Sequence, residues 1–133
     1  MTATQIDHNA SLDEYASVIG AAEIDELRAF ASPLYGRPIQ MINSTLVGGG
    51  VAEILNRLVP LAQDLGLTVR WDVMKGDNEF FEVTKAFHNA LHGGPYHHRQ
   101  EHFDVFLDWS ERNRVSLTFD ADFTVIHDPS RWR

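Results

Sequence analysis

Residues 38–66 read PIQMINSTLVGGGVAEILNRLVPLAQDLG, and the layout of the rest of the chain follows from them. Residues 38–43 are short, apolar and bounded by turn residues, the signature of a buried strand. Gly48, Gly49 and Gly50 follow within a few residues. Glycine is the costliest residue to order, so a triplet here needs a physical reason. Beyond it Val51, Ile54, Leu55, Leu58, Ala62 and Leu65 recur at helical spacing until Gly66, which predicts an amphipathic helix with these six on its core face. Pro60 inside that helix is expected to kink it. The unit is strand, glycine loop, helix.

Working outward, residues 67–74 (LTVRWDVM) form a second strand, and Gly76-Asp77-Asn78 is a turn with capping residues. A helix is predicted over 79–91 and is closed by Gly93-Gly94-Pro95. A further helix over 100–114 turns Phe103, Phe106 and Leu107 inward, and residues 122–127 form a third strand before an Asp128-Pro129 turn. Upstream, Ile24, Leu27, Arg28 and Ala31 mark a helix over 23–32, stopped by Pro33 and Gly36. Residues 1–10 are polar and aperiodic, a flexible tail; 11–133 make a single domain. Strands separated by helices predict an α/β domain of three layers, with a small parallel sheet of three or four strands.

The 133 residues leave room for one core. A formal charge of −8 argues against a nucleic acid or anionic membrane partner. No run approaches the roughly 18 apolar residues of a membrane span, and no leader pattern is visible, so the expected location is cytoplasmic. Without cysteine the chain has neither disulfides nor thiolate metal sites.

The glycine loop has two readings. A helix N-terminus offers free N–H groups and partial positive charge to a phosphate, and glycine lets the ligand reach them. The alternative is a tight turn with close helix–strand packing. Neither the dinucleotide nor the Walker pattern is present. In the helix that follows Gly76, Phe81, Lys85, His88 and His92 form one stripe, beside a more apolar stripe of Phe80, Thr84, Phe87 and Leu91. His88 and His92, one turn apart, suit a metal, sugar hydroxyls, or ordinary satisfied imidazoles. With no HEXXH and no third ligand indicated, no metal and no cofactor is expected. His97, His98 and His102 read as solvated. His127 closes an expected central strand, where open α/β sheets bind ligands beyond their carboxyl ends; a core histidine bonded to backbone is the other reading. Glu53 suits the helix dipole. No nucleophile–base or acid–base pair stands out, so the catalytic residues are unknown.

The run Asn43 to Leu55 resembles the N-terminal domain of trehalose synthase of the glycosyltransferring type, as do Leu58-Val-Pro-Leu61 and Asp64-Leu-Gly66. So do Val69-Arg-Trp71, Glu79-Phe-Phe-Glu-Val-Thr-Lys85, Phe87-His-Asn-Ala-Leu91 and Val125-Ile-His-Asp-Pro129, with Tyr15 and Gly20 also in place. The likeness runs from about residue 12 to 129. It implies a Rossmann-like domain, half of a GT-B-type retaining glycosyltransferase whose two domains face a cleft and make trehalose from nucleotide-diphosphate glucose and glucose. It further implies that Gly48, Gly49 and Gly50 lie against the donor's diphosphate and sugar. His88, Asn89 and His127 would line the sugar side, with Lys85 nearby. Leu46 stands where that family has Pro, His92 where it has Gln, and the run after Pro129 departs from its pattern. On this likeness the chain is a truncated domain lacking the nucleotide-gripping half. The expectation is a homo-oligomer that covers the open sheet, or a separate subunit that supplies the missing half; the alternative is a non-catalytic sugar-binding or protein-interaction module.

Overall fold

The structure is a computed structural model that describes residues 11–127. The expected 1–10 tail and the Asp128-Pro129 turn lie outside the described residues. Three strands form the sheet: β1 (Ile39–Asn43), β2 (Val69–Val73) and β3 (Phe123–Ile126). They are all parallel, in the order β2-β1-β3. The helices are α1 (Leu12–Ile19), α2 (Ala21–Ala31), α3 (Gly50–Asp64), α4 (Asn78–Leu91) and α5 (Gln100–Ser116), with a 3-10 turn over Ser32–Leu34.

Alternation along β1 divides the core. Ile39 packs with Val69 against Leu55, Val59 and Ala62 of α3. Ile42 points the other way and packs with Met74 and Phe80, backed by Phe106 and Trp109 of α5. α3 therefore covers one face and the α4–α5 pair the other. This is the arrangement right-handed crossovers impose when a chain steps from β1 to β2 and then back past β1 to β3. The small parallel sheet between helical layers is the Rossmann-like α/β architecture expected from the sequence.

Four local expectations are corrected. The helix expected over 23–32 is present as α2, and a further, unexpected helix precedes it: Ser11 caps α1 by accepting from the Asp13 N–H at 3.3 Å. Leu12, Tyr15, Ala16 and Ile19 recur at helical spacing along α1, although only Leu12 of the helix is buried. Second, the core face of α3 is Ala52, Leu55, Val59 and Ala62, whereas Val51, Ile54 and Leu58 are 38%, 63% and 42% exposed on an adjoining flank. Third, β3 is an edge strand and β1 the centre; all four β3 residues are exposed. Fourth, Phe106, Trp109 and Asn113 carry the inner side of α5, while Phe103 is half exposed and packs on Phe87 with ring centroids 5.6 Å apart.

One element of β1 is not apolar. Gln40 is fully buried and its amide joins all three strands. Its Nε2 donates to Asp72 Oδ2 at 2.7 Å and to the Thr118 carbonyl at 2.9 Å, and its Oε1 accepts from Thr124 Oγ1 at 3.2 Å. Arg70 extends this network, donating to Asp72, Asp120 and the Thr118 carbonyl.

Candidate functional site

β1 hands the chain to the glycine loop at Asn43, which is buried. Its Nδ2 donates to the Thr45 carbonyl at 3.0 Å. Thr45 Oγ1 donates to the Val47 carbonyl at 2.6 Å and accepts from the Val47 N–H at 3.1 Å. From α3, Asn56 Nδ2 donates to the Leu46 carbonyl at 3.3 Å. The approach to the glycines is thus held by side chains at both ends.

Gly48 and Gly49 have φ of +78° and +83°, the left-handed region that a Cβ makes costly, and Gly50 opens α3. A Cβ built on any of the three meets no heavy atom of the described residues within 4 Å. Close packing is therefore not what these glycines serve; their backbone faces open space. Gly49 is the N-cap of α3 and supplies no side-chain hydrogen bond, whereas α1 and α4 are capped by Ser11 and Asp77. The first N–H groups of α3 accordingly lack a side-chain acceptor among the described residues. Glu53 lies in the same first turn.

His127 follows β3 and lies beside the end of β1. Its backbone N–H donates to the Ile42 carbonyl at 3.0 Å, which carries the β1–β3 pairing one step past the strand. Its Nε2 is buried and has no hydrogen-bond partner among the described residues. The reading of His127 as a core histidine satisfied by backbone thus fails at this ring nitrogen. The chain leaves β1 for the α3 face, so the gap between β1 and β3 is the point where the topology reverses, the usual crevice of an open α/β sheet.

α4 begins behind the loop, with Asp77 Oδ1 accepting from the Phe80 N–H at 2.8 Å. Lys85 lines a cleft of about 350 Å³ with Ser44, Thr45 and Phe81, so it is brought against the loop that leads to the glycines. His88 and Asn89 are exposed one turn further along α4 and are not among the residues lining that cleft. The His88 and His92 rings lie 4.4 Å apart, and His92 Nδ1 is 2.9 Å from the His88 carbonyl. Among the described residues no three His, Asp or Glu side chains are grouped to hold a metal ion. His97 and His98 are exposed, the His98 ring 4.9 Å from that of Phe103, whereas His102 is half-buried with Nδ1 3.4 Å from the Tyr96 hydroxyl. Spacing singles out Lys85, but not Ser44 or Thr45, which only the fold brings to it.

A protein-family model described as the N-terminal domain of trehalose synthase matches residues 41–132. Trehalose synthase of Pyrococcus horikoshii is 41% identical over 120 residues, covering 89% of this chain and 29% of the relative. That of Rubrobacter xylanophilus is 42% identical over 122 residues, covering 90% of this chain and 29% of the relative. A more distant likeness, 28% over 131 residues, is to the trehalose phosphorylase of Pleurotus pulmonarius, with 89% of this chain and 18% of the relative covered. The chain thus spans less than a third of the length of the curated relatives it matches.

Proposed function

The chain belongs to the family of trehalose synthase N-terminal domains, and on that premise we propose that it forms one wall of a glycosyl-transfer cleft. Gly48, Gly49 and Gly50 receive the diphosphate of a nucleotide-diphosphate glucose at the start of α3. Lys85, His88, Asn89 and His127 face the sugar, whether glucose or trehalose. The observation that carries this reading is an uncapped helix start with open glycine backbone, supported by a buried imidazole nitrogen at the end of β3 that lacks a partner among the described residues. The helix start suits an anion and the imidazole a hydroxyl. Transfer requires both substrates held in line and shielded from water. The facing wall therefore comes from outside the matched third of the relatives, in the same polypeptide or in a separate subunit, and this chain alone is not catalytically complete. As a domain spanning 11–133 it acts in the cytoplasm; among the described residues no helix is long and apolar enough to cross a membrane.

Titration of the purified chain with nucleotide-diphosphate glucose, the free nucleoside diphosphate and trehalose, followed by backbone amide shifts, tests the proposal. The expected result is saturable shifts at Gly48–Val51 and His127. No shift at millimolar ligand sinks the ligand-binding reading. A second reading, a self-associating interaction module, is favoured by the exposed β3 residues and the uncovered flank of α3. It would stand alone in that case.

A further inference from the structure

The three strands are not equally covered. Ile39 and Met41 of β1 lie on the α3 face, and the register pairs them with Phe123 and Val125 of β3. Those two side chains therefore share that face, yet both are exposed. Neighbouring strands stand roughly 4.8 Å apart and a helix is about 10 Å across, so one helix roofs about two strands. α3 packs on Ile39 of β1 and Val69 of β2, which leaves β3 bare.

The side of α3 next to the bare strand is apolar too. Val51, Ile54 and Leu58 recur at i, i+3 and i+7 on one stripe, and all three are exposed. A right-handed β1–α3–β2 crossover runs α3 antiparallel to the strands, with β2 to one side and β3 to the other. With Leu55 and Val59 turned to the sheet, the right-handed winding of the helix puts this stripe on the β3 side. Asp64 lies on the opposite flank and accepts from the Leu12 N–H at 2.8 Å, so α1 meets α3 away from the stripe.

We propose that this corner, Val51, Ile54 and Leu58 against Phe123 and Val125, is the docking groove for one amphipathic helix. The helix comes from the part of a trehalose synthase polypeptide that this chain does not match. All-parallel sheets occur almost only with helices over both faces, and the width left beside α3 is that of one helix. An apolar groove takes such a helix by side chains one turn apart, the spacing the α3 stripe already presents. The source follows from length. The trehalose synthases at 41% and 42% identity are matched over 29% of their own length, so most of each polypeptide lies outside the matched domain. Arg37 Cζ stands 4.5 Å over the Phe123 ring and bounds the groove at one end. The other end lies where Val51 follows Gly50 and β3 runs into His127, so a docked helix would reach the crevice.

The test co-expresses the chain with the Rubrobacter xylanophilus trehalose synthase from which the matched segment is deleted, so that the two can fold together. A one-to-one complex is expected in sedimentation, with the methyl signals of Val51, Ile54, Leu58 and Val125 shifted from those of the chain alone. Leu58→Glu should weaken the complex at least about a hundredfold, because docking would bury an unpaired carboxylate. Val18→Glu, at an exposed apolar site on α1, should leave it within about twofold. No complex, or one that Leu58→Glu leaves intact, overturns the proposal. Methyl shifts that appear on concentrating the chain alone, with none added by the partner, assign the groove to a second copy and overturn it as well. Should Leu58→Glu unfold, the methyl shifts of the wild-type complex decide, and their absence rejects the groove. The groove is separate from the ligand-facing glycines: nucleotide-diphosphate glucose should shift the Gly48–Val51 amides equally in Leu58→Glu and wild type, so loss of docking and loss of ligand binding are read apart.

Discussion

Gly50 asks less of the backbone than its two neighbours. Gly48 and Gly49 need glycine for their positive φ, so a side chain at either would strain the loop whether or not a ligand comes near. Gly50 is already helical, and a Cβ there meets no heavy atom of the described residues within 4 Å. Gly50→Ala therefore separates folding from ligand approach. Its effect on stability should be neutral or favourable by up to about 1 kcal/mol, since alanine orders more readily in a helix. Nucleotide-diphosphate glucose affinity should nevertheless fall at least about tenfold, equivalent to about 1.4 kcal/mol, because a methyl group would stand before the free N–H groups. Thermal melting and calorimetric titration of the one variant check both halves. Unchanged affinity would place the phosphate away from α3. The identity of these glycines was plain in the sequence, but their separate duties were not, because dihedral sign and empty space are properties of the folded loop.

At the scale of the element, the α3 stripe shows where periodicity stops informing. Its apolar residues cover a wider arc than the sheet does. Val51, Ile54 and Leu58 therefore satisfy the helical pattern while remaining outside the core. The strand–loop–helix order, the Asp77 cap and the strand positions were all legible, since each rests on contacts between near neighbours. The convergence of Lys85 with Ser44 and Thr45, and of His127 with Ile42, was not, because the fold joins residues far apart in the chain. The Arg70 network is another long-range product, with a consequence for acid stability. Its hydrogen bond holds the Asp120 carboxyl below the ordinary value. A depressed pKa in the folded state stabilises above the unfolded pKa of about 3.9 and is lost as pH falls through the folded value. The urea midpoint of Arg70→Gln should thus lie below that of wild type near neutrality, and the gap should narrow as pH falls below the unfolded carboxylate value of about 3.9 and through the lower folded value of Asp120. A gap independent of pH from 7 to 2 (about the range carboxylates titrate over) would exclude this pair as its source.

For the whole molecule, the order β2-β1-β3 leaves β3 at one edge with Phe123, Val125 and Ile126 exposed. An exposed apolar edge is a template for pairing. We expect the isolated chain to self-associate at tens of micromolar, and sedimentation as a monomer there would reject the expectation. Asp122 and Phe123 are engaged by Arg37 through an ion pair at 2.8 Å and a stacking contact at 4.5 Å, so association should be strongest toward Ile126. The buried amide of Gln40 bears on how the sheet is assembled. Its acceptor is met by Thr124, 84 residues away, and its donors by Asp72 and the Thr118 carbonyl. Closing so long a span is entropically slow, which makes β3 the last strand to arrive. A β3 displaced by two positions along β1 keeps its apolar alternation but moves the threonine away from the amide, stranding a dry oxygen. Gln40 therefore acts as a proofreading contact, accepting the final strand only in the frame that carries His127 to the crevice.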